Sequence, residues 1–353
     1  MYTYKIFNKS WIFKKTINVD LVKNEVSFSS QINGGLGNLE IEINEKINTS
    51  EYQKGDIVKI FLWLELIYSW FIDEIKKSAS NYEEVVLSCV GYASRLTNIL
   101  FKNGSYTGNH NADPKVLVDD AVDYFNTLHN ILTKDTESLW SHVNYDFDYT
   151  SCFKVIDDMV KVSENFFWYI GADGVVKFKE KPVISKNKFT FQKNVFTLEI
   201  EQTEIVNRLF LQHSGGVKEY NDTASQTTYW VFEKKVTDTS LKNVASADLY
   251  AASFLAENSL PKDKIVVSVN NDYIYKTYFL HNEMTLNMQE YTMNMEDLAE
   301  IKSIINVEPG ELCTIRNIDY PLENLLITKK VYTKDKISLY LDSYDSFIWL
   351  LKT

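Results

Sequence analysis

The chain has 353 residues and a mass of 41.0 kDa, more than one ordinary core accommodates, so two or three domains are expected. Its 45% hydrophobic and 24% charged residues match a soluble globular protein, and 22 Tyr and 20 Phe against only 5 Pro favour strands. A formal net charge of −11 without a basic patch excludes a protein that grips nucleic acid by neutralising phosphates.

The N-terminal "MYTYKIFNKSWIFKK" lacks the apolar core of a signal peptide, so no secretory leader is expected. "VKNEVSFSSQINGGLGNLEIEINEK", residues 22–46, reads as two strands joined at Asn33-Gly34-Gly35-Leu36-Gly37. The glycines lead into the alternating Leu39, Ile41 and Ile43. That is a strand, so no helix N-terminus is on offer to a phosphate.

"EYQKGDIVKIFLWLELIYSW", residues 51–70, resembles half a membrane span. Lys59, Glu65 and Asp73 interrupt it, and the uncharged run Leu66–Ile72 is far short of the ~20 residues a spanning helix needs. Read with period two, Val58, Ile60, Leu62 and Leu64 share one face. Lys59, Phe61, Trp63 and Glu65 share the other, so a strand is expected, with its Phe61 and Trp63 face covered by a neighbouring element or subunit. Strands over Tyr68–Ile75 and Glu84–Val90, separated by the polar loop "KKSASNYEE", complete a meander.

After about Phe101 the pattern changes. Asp113 caps and Pro114 opens a helix with Val116, Leu117, Ala121, Val122, Tyr124 and Phe125 at helical spacing. "TSCFKVIDDMVKVSE" is a second helix, with Phe153, Ile156, Met159 and Val160 on one stripe. A hairpin of Phe166–Ile170 and Val175–Lys179 around Ala172-Asp173-Gly174 follows. From Asn187 strands return: "FTLEIEQTEIVNRLFLQHSG" gives two, "TTYWVFEKKV" one and "KIVVSVN" one, with a helix at about 247–258 stopped before Pro261. Residues 272–300 carry no clear period, and 307–344 form a closing meander.

The closing meander echoes the first. "KGDIVKI" at 54–60 matches "PGELCTI" at 309–315, and Gly55 and Gly310 stand 255 residues apart (310 − 55), as do Ile72 and Ile327. "EEVVLSCV" and "KDKISLYL" follow as third strands. The expected fold is α+β, mainly β: two related antiparallel β-barrel-like tube domains with an α+β domain inserted between them. The boundaries are 1–101, 102–186 and 187–353, the last with its helix and an insertion at about 270–300. Three such chains would present six similar domains around one axis, a pseudo-hexameric ring.

Signs of catalysis are absent. Asp119–Asp120 and Asp157–Asp158 read as solvated helix faces, and the Asp146/Asp148 pair lacks calcium-loop spacing. His110, His129, His142, His213 and His281 are scattered, and no HExxH, GxSxG or Cys–His signature exists. Cys89, Cys152 and Cys313 form no CxxC and read as core thiols, so neither a disulfide framework nor a structural zinc site is indicated. Trp168 and Tyr169 could stack on a sugar but read as packing between hairpin and helix. No catalytic, cofactor-binding or metal-binding residue is assigned, and no enzyme is expected.

Taken in order, "KGDIVKIFLW", "WFIDEIKKSASNYEEVVLSCVGYASRLTN", "NFFWYIGADGVVKFKEKP", "IVNRLFLQHSG", "ADLYAASFLAENSLPKDKIVVSV" and "VEPGELCTIRN" resemble the baseplate or tail-tip hub of tailed bacteriophages. The family includes the N-terminal structural region of tail-associated lysins, and the set is also similar to the central hub of contractile tails and injection-system spikes. The resemblance implies a homotrimer in the virion at the end of the tail tube, whose lumen passes the tape-measure protein and then DNA without binding it specifically. It implies contacts with the tail tube or a distal tail protein and with tip fibre or spike proteins, and no cofactor. An acidic lumen fits DNA that must slide. Relatives often continue into a hydrolase or fibre-attachment region, whereas this chain stops after the second meander. The alternatives are a cell-wall hydrolase or a glycan- or receptor-binding module at the tail tip.

Overall fold

Alternating apolar residues in the first hundred positions build β1 (Tyr2–Phe7), β2 (Phe13–Ile17), β3 (Phe28–Gln31), β4 (Gly35–Leu36), β5 (Leu39–Ile43), β6 (Ile57–Leu62), β7 (Glu65–Ala79) and β8 (Glu83–Val90). The structure, a computed structural model, describes residues 2–23, 27–44, 51–62, 65–79, 83–101, 108–139, 142–147, 149–163, 165–185, 187–190, 195, 197–270, 307–316, 322–333 and 336–343. Six strands form an antiparallel sheet in the order β2-β1-β6-β7-β8-β5. Val58, Ile60 and Leu62 are buried as their spacing requires, whereas Lys59 and Phe61 are half-buried on the other face. Lys5 lies over the Phe61 ring at 4.8 Å; Trp63 and Leu64 lie outside the described residues. β7 runs on through Lys76 to Ala79, so most of the expected polar loop is strand.

The glycine-rich turn corrects one expectation. Its two flanking strands do not pair with each other. β3 turns back onto the two-residue β4, while β5 pairs with β8. The outer edge of β3 joins a strand near the C-terminus instead. The turn itself is pinned from outside: the Asn33 amide donates to the Trp168 carbonyl at 2.7 Å, and the Asn33 side chain accepts from the Trp168 amide at 3.2 Å. Side-chain alternation fixes which face a strand buries but not which sheet it enters.

The next stretch supplies α1 (Tyr92–Thr97), β9 (Gly108–Ala112), α2 (Pro114–His129), β10 (Thr133–Thr136), β11 (Val143–Phe147), α3 (Cys152–Lys161), β12 (Phe166–Ile170) and β13 (Val175–Glu180). Asp113 caps α2 by accepting from the Lys115 amide, with Pro114 at the first helical position. The buried stripe of α2 is Leu117, Val118, Ala121, Val122 and Phe125. Val116 is exposed and Tyr124 half-buried, so the helix is rotated slightly from the sequence expectation. α3 is capped by Ser151, and Ile156, Met159 and Val160 are buried with Cys152 and Val155. β12 and β13 form the expected hairpin, and β10 pairs with β13 in parallel.

The last stretch gives β14 (Asn187–Thr190), β15 (Thr197–Gln202), β16 (Arg208–His213), β17 (Gly216–Asn221), α4 (Thr223–Tyr229), β18 (Glu233–Thr237), α5 (Val244–Asn258), β19 (Asp263–Asn270), β20 (Leu312–Arg316), β21 (Leu322–Tyr332) and β22 (Lys336–Ser343). Thr227–Tyr229 close a helix capped by Asp222, so the expected strand "TTYWVFEKKV" shrinks to β18. A second sheet runs β14-β20-β21-β22-β19-β15, and β3 adds to β21. β17-β16-β18 form a small sheet of their own. Residues 272–300 lie outside the described residues. The fold is mainly β, with antiparallel pairing dominant.

The two large sheets meet around aromatic rings. Phe28 of β3 stacks on Tyr332 of β21 at 4.9 Å and meets the β7 rings of Tyr68 at 4.2 Å and Trp70 at 5.4 Å. The Trp70 indole donates to the Gly37 carbonyl at 2.6 Å. Such rings bury large areas, so this cluster ties the N-terminal strand crossing to both sheets.

Candidate assembly surfaces

The internal echo is geometric as well as sequential. Gly55 and Gly310 both adopt the left-handed conformation, with φ of 90° and 93°. The Gly55 amide donates to Ile72 O and the Ile72 amide to Asp56 O, at 2.7 and 2.8 Å; Gly310, Ile327 and Glu311 repeat this at 2.7 and 2.9 Å. The carboxylate that follows each glycine caps its own turn: Asp56 accepts from the Gln53 amide at 2.9 Å and Glu311 from the Glu308 amide at 3.2 Å. The bulge in β7 between Ile72 and Glu74 recurs in β21 between Ile327 and Lys329. Ile72 pairs with Cys89, and Ile327 with Leu341. On their far sides β8 pairs with β5, and β22 with β19, both antiparallel. The copies part at the other edge, where β1 is antiparallel to β6 but β14 is parallel to β20.

Two apolar features face outward. The β1–β2 connection is closed by Asn8, whose side chain accepts from the Ser10 and Ile12 amides, both at 2.9 Å. It displays Trp11, Ile12 and Phe13, and Lys59 lies over the Trp11 ring at 4.6 Å. The second is the loop after α4. Trp230, with φ 68°, is 81% exposed, while the buried Asn207 beneath it donates to the Trp230 carbonyl at 2.7 Å and accepts from the Phe232 amide at 2.8 Å. A fully buried amide that holds an exposed aromatic loop in place is preorganisation of the kind that recognition surfaces use.

The residues considered for chemistry are dispersed. Asp119 pairs with Lys115 and accepts from Thr136 at 2.7 Å. Asp157 is partly exposed, but Asp158 is 1% exposed, which corrects the solvated-face expectation. Lys154 and Lys161 flank it, the latter at 3.0 Å, so the buried carboxylate is paired, as burial of a charge requires. Asp146 pairs with Lys242 at 2.9 Å, and Asp148 lies outside the described residues. Among the described residues no three His, Cys, Asp or Glu side chains gather to hold a metal ion. His213 is buried and accepts from the Gly215 amide at 3.1 Å; His142 is exposed; His281 and the His110 side chain lie outside the described residues. Trp168 is buried edge-on to Phe153 of α3 at 5.2 Å, and Tyr169 is buried beside it, so neither offers a face to a sugar. Cys89, Cys152 and Cys313 are free and buried; burial pushes the Cys152 thiol up to about 12. No helix among the described residues is long and apolar enough to cross a membrane.

No family model matches the sequence, and no curated protein matches it. Solved structures do match. The 43 kDa tail protein of prophage MuSo2 from Shewanella oneidensis is similar over 97% of this chain and 98% of its own, with 7% identity and a TM-score of 0.64. The tail protein from Neisseria meningitidis MC58 is similar over 99% and 98%, with 10% identity and a TM-score of 0.62. The E. coli c3393 protein is a type VI secretion system component with structural similarity to the T4 tail proteins gp27 and gp5. It matches over 91% of this chain and 73% of its own, with 10% identity and a TM-score of 0.50. Identity this low carries no residue role across. Near-complete coverage of whole chains carries the architecture, and the fold of this chain is that of phage tail proteins.

Proposed function

We propose that the chain is the hub subunit of a phage tail tip. Residues 1–101 and 187–353 form two related β-barrel-like tube domains, and 102–186 form the α+β domain inserted between them. Three chains close into a ring that presents six similar domains to the tail tube. The observation that carries this reading is the repeated turn: Gly55–Ile72–Asp56 and Gly310–Ile327–Glu311 make the same hydrogen bonds 255 residues apart. A doubled domain lets a threefold assembly match a sixfold one, which a single domain per chain does not.

The ring docks on the tail tube or a distal tail protein, receives tip fibre or spike proteins, and passes the tape-measure protein and DNA through its lumen in the virion. The net charge of −11 suits a duct in which phosphates are not held. The role is structural, with no turnover. Native mass measurement of the purified chain, alone and with its distal tail partner, tests this. Three times 41.0 kDa is expected. A monomer both in solution and in the assembled particle overturns it.

A further inference from the structure

A cavity of about 390 Å³ opens between the first sheet and the helices that follow it. Lys9, Lys54, Arg95 and His129 line it together with Phe71 and Leu128, and among the described residues no carboxylate does. In a chain of net charge −11 this is an inverted patch. Lys54 reaches Asp73 at 3.3 Å with both groups largely in solvent; among the described residues Lys9 and Arg95 form no ion pair. Arg95 is held over the Phe71 ring at 5.0 Å, and the His129 ring lies against Phe125 at 4.8 Å. Leu128 is 57% exposed. Arg95 is therefore positioned by an aromatic ring rather than by a counter-charge, and the Asp73 contact of Lys54 is a solvent-exposed one.

The internal repeat shows what covers such a turn. At the second copy, the Phe167 ring of β12 sits against Gly310, and Lys177 of β13 pairs with Glu308 at its side. At the first copy, the nearest cover of Gly55 is the aliphatic stem of Lys9, 3.4 Å from where a Cβ would stand. The second copy thus offers a carboxylate, Glu308, to a covering lysine. The first has the neutral Gln53 in that place and supplies the cations itself. The matching cover brings an aromatic ring and the carboxylate. We propose that this cleft binds a peptide segment of another polypeptide in which an aromatic residue neighbours an aspartate or glutamate. The ring takes the place of the flexible Lys9 stem over Gly55, beside Phe71 and Leu128, and the carboxylate meets Arg95 and competes with the exposed Asp73 for Lys54, the guanidinium being suited to hold it through two parallel bonds.

The test titrates the full chain with N-acetyl-Asp-Phe-amide while the His129 imidazole is followed by NMR. Burial, with a smaller contribution from Arg95, holds His129 below its ordinary pKa, and a carboxylate seated nearby raises it. The expected result is a saturable shift of the His129 resonance and a rise in its pKa. N-acetyl-Asn-Phe-amide and N-acetyl-Asp-Ala-amide should each bind about tenfold more weakly. Arg95→Gln removes the preference for Asp over Asn. Lys54→Gln, at an exposed position, reduces it in a variant whose fold is not at risk. An unmoved His129 resonance at the solubility limit of the peptide overturns the proposal. So does equal binding of the Asp and Asn peptides, or a preference that survives in both variants. The tail-tip reading stands or falls separately, on the mass of the assembly.

Discussion

Gly55 and Gly310 share a backbone conformation but not a neighbourhood, so the same substitution should act differently on them. A side chain at φ near 90° costs about 1–3 kcal/mol at either position. At Gly55 a Cβ first meets the flexible Lys9 stem, at ordinary contact distance, whereas at Gly310 it collides with the Phe167 ring. Gly55→Ala is expected to cost about 1–2 kcal/mol and Gly310→Ala at least about 3 kcal/mol, because the packed ring must also move. Urea midpoints of the two variants decide this, and equal losses would show that the Phe167 contact contributes nothing. Lys330 makes a second prediction at this scale. It is buried in β21, donates to the Val307 carbonyl at 3.1 Å, and lies over the Tyr332 ring at 4.7 Å. Burial pushes its pKa down to about 7, against a smaller upward pull from Glu308 and Glu311. Between about pH 7 and about 10.4 the unfolded chain therefore holds a proton that the native Lys330 has lost, so stability rises with pH across that window. Below pH 7 the full cost of the buried charge remains. Lys330→Met should stabilise most at pH 6 to 7, with the gain shrinking toward pH 10. A gain independent of pH in denaturant titrations would remove the buried charge as its cause.

The elements most legible in the sequence are those whose signals are local. Asp113-Pro114 opens α2 and Ala172-Asp173-Gly174 turns β12 into β13 because caps and turns are written in neighbouring residues. The alternation at 58–62 gave the buried face of β6 for the same reason. What the sequence did not disclose is partnership. β3 reads like half of a hairpin with β5, yet its hydrogen bonds go to β4 and to β21, some 300 residues away. Its destination depends on Phe28 finding Tyr332, Tyr68 and Trp70, a contact with no short-range trace. Asp158 was misread because its helix carries Asp157 beside it. Which of two adjacent carboxylates turns inward depends on what packs on the helix, and only the lysines at 154 and 161 hint that one would be paired. The cleft was invisible for a similar reason: Lys9, Lys54, Arg95 and His129 come from four separate parts of the chain. The repeated glycine turn was legible because both copies need a residue free to take φ near 90°, which leaves a mark even where identity has faded.

At the scale of the assembly, charge makes a prediction that apolar contacts alone do not. Each chain carries −11, so the proposed trimer gathers −33 (3 × −11) around one axis. Like charges oppose that association, and salt screens them: the Debye length falls from about 30 Å at 0.01 M to about 10 Å at 0.1 M. If the ring closes through apolar surfaces such as the Trp11–Phe13 tip or the Trp230 loop, raising the salt concentration should strengthen it. Ring closure through complementary ion pairs has the opposite dependence, since the same screening weakens attraction. The expected result is a mass distribution that moves from one toward three copies as ionic strength rises from low to physiological at fixed protein concentration. Neutralising exposed carboxylates, as in Glu199→Gln together with Glu201→Gln on β15, should produce part of the same shift at low salt. Dissociation on adding salt would assign the contact to ion pairing. The acidic balance of the chain would then serve the lumen alone and set no barrier to closing the ring.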